Sequence, residues 1–117
     1  MSTPVGPYTP VVRAGDWLVV SGQVGIRDGA LVHGGTQDQL RQALENLRGL
    51  LEAEGASLAD VVKTTLFLRH LSDYQAANAT YVAAFGDHRP ARSAVGVADL
   101  PLNALVEIEA WAYVGRP

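Results

Sequence analysis

Val106-Glu107-Ile108-Glu109-Ala110-Trp111-Ala112-Tyr113 alternates between two kinds of side chain, and that alternation decides the fold. In a strand, successive side chains leave opposite faces. Val106, Ile108, Ala110 and Ala112 make one face, small and apolar, suited to a covering layer of helices. Leu105, Glu107, Glu109, Trp111 and Tyr113 make the other. Large rings mixed with acids are a poor fully solvated surface. They suit a subunit interface that also contains a polar site. The stretch therefore predicts a sheet with helices on one side and further copies of the chain on the other.

Working outward, Thr36-Gln37-Asp38-Gln39 reads as a capping box, with Thr36 accepting an early backbone N–H and Gln39 reaching back. Leu40, Ala43, Leu44, Leu47, Leu50 and Leu51 follow at helical spacing, and Gly55 is the stop. A second box, Ser72-Asp73-Tyr74-Gln75, opens a helix whose face is Tyr74, Ala77, Tyr81, Ala84 and Phe85, ended by Gly86. Strands are predicted at 17–22, with 11–13 pairing back through a turn at Ala14-Gly15-Asp16. Asp28-Gly29 signals a hairpin into a short strand at 30–32. The β-branched run 61–68 is a further strand. The last two, 93–98 and 104–114, are joined through a turn region at 99–103. The proline-rich start, 3–10, should be extended and irregular. The order β-β-β-α-β-α-β-β implies an α+β fold: a single mixed β-sheet covered on one face by two α-helices, in one domain over 1–117.

The chain has 117 residues, 48% of them apolar and 18% charged, with a net charge of −3. Nine Lys and Arg are scattered without a run, which argues against a nucleic-acid surface. The absence of cysteine excludes disulfides, zinc-thiolate sites and thiol nucleophiles. No apolar run is long enough to span a bilayer, and Met1-Ser2-Thr3-Pro4 has no leader character, so a cytoplasmic protein with no membrane partner is expected. His33, His70 and His88 lack ligand spacing, so no metal is expected. Gly34-Gly35 reads as a plain turn before the first helix.

Several residues carry chemistry. Arg92 alternates with Ala94, Gly96 and Ala98, small neighbours that leave room for a ligand. A guanidinium grips a carboxylate through two parallel hydrogen bonds. The same arginine could equally be a rim residue paired with Glu107 or Glu109. Glu107 suits proton transfer if burial raises its pKa, and Glu109 has the same chemistry; spacing does not separate them. Tyr8, in the stiff Gly6-Pro7-Tyr8, either overhangs a pocket or anchors the arm by packing. Ser21 and Gly22 end a strand, where backbone can approach a ligand or form a bulge. Asn78 lies inside a helix, where asparagine is not favoured, and bonds backbone or lines a site. A simple hairpin centred on Pro101-Leu102 would not set Arg92 opposite Glu107, so convergence of the two needs three-dimensional or inter-subunit geometry.

Gly6-Pro7-Tyr8, Val20-Ser21-Gly22-Gln23, Leu44-Glu45-Asn46-Leu47, Val61-Val62-Lys63-Thr64-Thr65, Asn78-Ala79-Thr80-Tyr81, Pro90-Ala91-Arg92-Ser93 and Val106-Glu107-Ile108-Glu109-Ala110 occur in order and at a familiar spacing. Over nearly its whole length the chain resembles the RidA/YjgF family of reactive imine/enamine deaminases. The resemblance implies a chorismate-mutase-like fold and a homotrimer with sites in clefts between subunits. It places the carboxylate-binding arginine on Arg92 and the acid beside the attacking water on Glu107, in preference to Glu109. It places substrate-binding roles on Tyr8, Ser21, Gly22, Asn78, Ala94 and Pro101. The family commonly has cysteine where Ala94 stands, acting mainly through its backbone carbonyl. Its Leu-Pro-Lys turn is Leu100-Pro101-Leu102 here, one positive charge fewer beside the cleft. Both departures bear on substrate range.

The function implied is hydrolysis of 2-imino acids formed from 2-aminoacrylate-type enamines, giving 2-keto acids and ammonia without a cofactor, on a small carboxylate-bearing substrate. Rival readings are a non-catalytic trimer that binds keto acids or amino acids with a regulatory role, an endoribonuclease, and a relative acting on another catabolic intermediate. The acidic balance and the lack of a histidine acid/base pair disfavour the ribonuclease.

Overall fold

Strict alternation in the last strand becomes the middle of a five-stranded sheet in the computed structural model, which describes residues 6–115. In chain order the elements are β1 (Val11–Ala14), β2 (Trp17–Gln23), β3 (Ile26–Arg27), β4 (Ala30–Leu31), α1 (Thr36–Ala53), β5 (Val61–Leu68), α2 (Tyr74–Phe85), β6 (Ala91–Gly96) and β7 (Val106–Tyr113). The sheet order is β1-β2-β7-β5-β6. Only β5 and β6 run parallel, because α2 is the crossover that links them. The expected extended start falls partly on residues 1–5, outside the described residues.

The helix side of the sheet is the core. Val106, Ile108, Ala110 and Ala112 are fully buried, together with Leu18 and Val20 of β2 and Leu66 and Leu68 of β5. Against them α1 lays Leu40, Ala43, Leu44, Leu47, Leu50 and Leu51, the stripe its spacing predicts. Each buried leucine contributes roughly 1.5–3 kcal/mol relative to exposure. Gly55 follows the helix at φ +79, where a residue without Cβ is favoured.

The helix starts differ from expectation. Gly35, not Thr36, caps α1, and its N–H donates to Asp38 Oδ2 at 3.1 Å. Gly34, at φ +110, leaves the space that the Asp38 carboxylate fills. Thr36 instead donates its hydroxyl to Asp73 Oδ2 at 2.7 Å, joining the starts of the two helices. Gln39 turns inward and accepts the Leu105 N–H at 2.8 Å. The second box does not form either: a 3-10 turn over Leu71–Asp73 leads straight into α2, and Asp73 is taken by Thr36. Gly86, at φ +64, ends α2 as expected. Tyr81 and Phe85 are buried and Ala84 is partly buried against the core, but Tyr74 is 37% exposed, because it lies at the β6 margin over Arg92.

Three further expectations are corrected. The sheet is not single: β3 and β4 form a separate hairpin through Asp28 and Gly29, both at positive φ. Asn46 Nδ2 of α1 holds that hairpin through the carbonyls of Val24 and Ile26. The last two strands are also not neighbours, since β5 lies between them. β6 has the expected length but lies two residues earlier, at Ala91–Gly96 rather than 93–98. In the connection to β7, Leu102 and Asn103 both adopt left-handed backbone, at φ 59 and 62.

Candidate functional site

Register assigns each candidate residue to a face. Thr64 pairs with Arg92 and Leu66 with Ala94, so Arg92 and Ala94 share the helix side. Phe67 pairs with Glu107 and Thr65 with Glu109, so both acids share the open side. Within one protomer, Arg92 and Glu107 therefore stand on opposite faces of the sheet, and Arg92 has no salt-bridge partner among the described residues. Pairing of Arg92 with either glutamate of its own chain is excluded.

The open-face group is built on a bulge. Between Val20 and Gln23, β2 carries one residue more than β7 does between Ala110 and Ile108. The extra residue lies at Ser21-Gly22. It brings bare backbone against Glu107: a Cβ on Gly22 would stand 2.6 Å from Glu107 Oε2. Thus the bulge expected from local sequence and the close approach of backbone to Glu107 are the same feature. Ser21 Oγ donates to Thr9 O at 2.6 Å and Ser21 N–H donates to Pro10 O at 2.9 Å, which ties the arm bearing Tyr8 to this strand end. Tyr8 is 44% exposed and does not pack into the core. Burial, and then the neighbouring Glu109 charge, push the Glu107 carboxyl above its ordinary value.

The second group sits at the β6 edge under α2. The Arg92 guanidinium lies 4.8 Å from the Tyr81 ring centroid and 5.5 Å from that of Tyr74. Its Nη2 donates to Tyr74 Oη at 3.1 Å. Tyr81 is fixed in turn by a 2.7 Å hydrogen bond with buried Thr64, and burial raises its phenol pKa against the opposing pull of Thr64 and Arg92. Asn78 lies on the same side of α2, between the two tyrosines in sequence, and its Oδ1 is buried with no partner among the described residues. A buried amide oxygen without a donor is costly. Ala94 packs partly against the core.

Pro101 is exposed in the β6–β7 connection, with no described contact to either group. Their place on one helical face marks Tyr74 and Tyr81 in the sequence only as core-facing residues. Their spacing of seven, two helical turns, was the available signal that both could flank one cation on the next strand. His88 Nε2 lies 2.7 Å from Val61 O, at a second bulge in β5. Among the described residues no three metal-ligating side chains gather. A groove of about 460 Å³ between α1 and α2 lies away from both groups, and its Arg41 and Arg48 are paired with Asp38 and Glu45.

The open face otherwise presents Trp17, Trp111 and Tyr113, with Trp17 edge to face against Trp111 and Tyr113 at centroid distances of 6.2 and 5.0 Å, and exposed Val12 and Val95 lie on the same face. No described helix is long and apolar enough to cross a membrane.

Residues 1–114 match the family described as Endoribonuclease L-PSP. A RutC family protein of Pyrococcus horikoshii is 46% identical over 112 residues, covering 94% of this chain and 89% of that protein. The 2-iminobutanoate/2-iminopropanoate deaminase of Salmonella typhimurium is 42% identical, covering 92% and 88%. The crystal structure of TdcF from Escherichia coli with bound serine superposes with a TM-score of 0.90 at 36% identity, covering 96% and 91%.

Proposed function

Because the chain belongs to the RidA/YjgF/L-PSP family, we propose that it is a hydrolytic deaminase of reactive 2-imino acids, working as a single-domain subunit of a homotrimer. The observation that carries this reading is the uncommitted Arg92 guanidinium, braced by tyrosine rather than by an acid. A cation so held keeps its full charge for a substrate carboxylate. The relative from Salmonella typhimurium named an imine deaminase supports the reaction class, and the serine bound to TdcF supports a small amino-acid-like ligand.

Arg92 and Glu107 lie on opposite faces of one sheet, so the complete site is a cleft between copies. Arg92, Asn78 and Ala94 come from one copy, and Glu107, Gly22, Ser21 and Tyr8 from the next. The exposed aromatic face is the surface that brings copies together. Arg92 orients the carboxylate, and the Asn78 amide oxygen and Ala94 carbonyl accept from the imine nitrogen. Pro101 borders the cleft at its rim.

Water adds to the imine carbon. Glu107 takes a proton from that water and returns it to nitrogen. The resulting carbinolamine passes its hydroxyl proton to nitrogen through Glu107 as the C–N bond breaks, releasing ammonia and a 2-keto acid. No cofactor is required, since the imine carbon is already electrophilic. Positioned proton transfer supplies roughly 10²–10⁴-fold.

Generating imine with an amino-acid oxidase and following its loss tests the proposal. Acceleration by the unaltered protein that disappears in Arg92→Ala supports it. Equal rates reject it, and keto-acid binding without any acceleration favours a ligand-binding role instead.

A further inference from the structure

The two tyrosines around Arg92 are not equivalent. Tyr81 is a fixed floor: it is 4% exposed, hydrogen-bonded to Thr64 and packed 4.6 Å from the Phe85 ring. Tyr74 is the first residue of α2 and 37% exposed, and among the described residues its hydroxyl has Arg92 as its one hydrogen-bond partner. A cation over a ring face is held at a height but remains free to rotate in plane. The Tyr81 face alone therefore does not determine which edge of the guanidinium looks outward. The hydrogen bond from Nη2 to Tyr74 Oη does.

We propose that Tyr74 is a positioning residue for Arg92: its phenol oxygen turns the guanidinium so that a free edge meets the substrate carboxylate. This rests on the carboxylate-anchoring role given to Arg92 above. The choice of phenol over acid matters physically. A carboxylate would align the fork as well but would cancel its charge and compete with the ligand. A neutral oxygen takes one of five N–H donors and leaves the charge intact. Arg92 thus loses its rotamer freedom before the ligand arrives rather than on binding.

Pyruvate titrated calorimetrically into the full-length protein reads this directly, with no turnover required. Tyr74→Phe keeps the ring and removes the hydroxyl; Tyr74→Leu removes both. The expected result is a pyruvate Kd weakened about fivefold by Phe, the scale of one net hydrogen bond, and further by Leu. In imine hydrolysis KM rises by the same factors while kcat stays within about twofold, the pattern of lost ground-state binding. The melting temperature is unchanged, and the Phe effect falls below about twofold in an Arg92→Lys background, because an ammonium has no plane to orient. Pyruvate binding by Tyr74→Phe as tight as in the unaltered protein overturns the proposal. So does an equal loss in the Arg92→Lys background, or no pyruvate binding by the unaltered protein. A protein that binds pyruvate through Arg92 and Tyr74 but hydrolyses no imine refutes the deaminase and leaves the positioning role standing.

Discussion

A Cβ on Gly22 would stand 2.6 Å from Glu107 Oε2 and 2.7 Å from its carboxyl carbon, so the position of the acid depends on residue 22 having no side chain. Gly22→Ala must displace the Glu107 head. The shift is taken by a flexible side-chain end, so the fold tolerates it, but a displaced proton carrier loses rate by up to about 100-fold. Single-turnover imine hydrolysis should fall while the melting temperature holds. Unchanged hydrolysis would separate Glu107 from the chemistry.

Glu107 also links stability to pH. Its carboxyl is raised above 4.5 in the folded chain by burial and by Glu109. Between 4.5 and the raised value the folded state therefore holds more proton than the unfolded state, and stability falls as pH rises through that window. Above it the ionised, half-buried acid is a standing penalty. Glu107→Gln should melt higher than the unaltered protein at pH 8 and equal to it at pH 4. The acid limb of the kcat/KM profile should vanish with the same substitution. Melting curves and a pH–rate series read both.

Thr64 and Tyr81 share a buried hydrogen bond of 2.7 Å, with Thr64 wholly inaccessible. Tyr81→Phe strands the threonine hydroxyl, at a cost of about 1–3 kcal/mol. Adding Thr64→Val removes the stranded group and should restore most of that loss. Urea denaturation of the single and double variants measures it; a double variant less stable than Tyr81→Phe would contradict it.

Trp111, 45% exposed and edge-to-face with Trp17, lies at the middle of the uncovered sheet face. Trp111→Glu places a charge where the proposed trimer buries apolar surface. Light scattering should then report monomers, and imine hydrolysis should fall with assembly, because Arg92 and Glu107 belong to opposite faces. Full activity in a monomeric variant would rule out a shared site.

Local pattern carried much of the architecture. The leucine stripe of α1, the alternation of β7, the turn at Asp28-Gly29 and the stop at Gly86 are periodic or conformational signals, legible wherever they occur in a chain. Capping was legible only as a probability of type: Thr36 and Gln39 have the chemistry of a box, yet both were drawn to partners distant in sequence, Asp73 and the Leu105 amide. Of the candidate site, Arg92 and Glu107 were singled out by type and by resemblance, whereas the tyrosine clamp around the arginine came only from the structure.

What the sequence by itself determined was which residues face in and which face out along α1 and β7, because side-chain direction follows backbone period. What only the tertiary structure decided was which faces meet. Strand β5 enters between β6 and β7 through long-range pairing, and that insertion sends Arg92 under α2 while Glu107 looks out from the opposite surface. Pairing of strands far apart in sequence is set by the packing energy of the whole core, a quantity no local window contains.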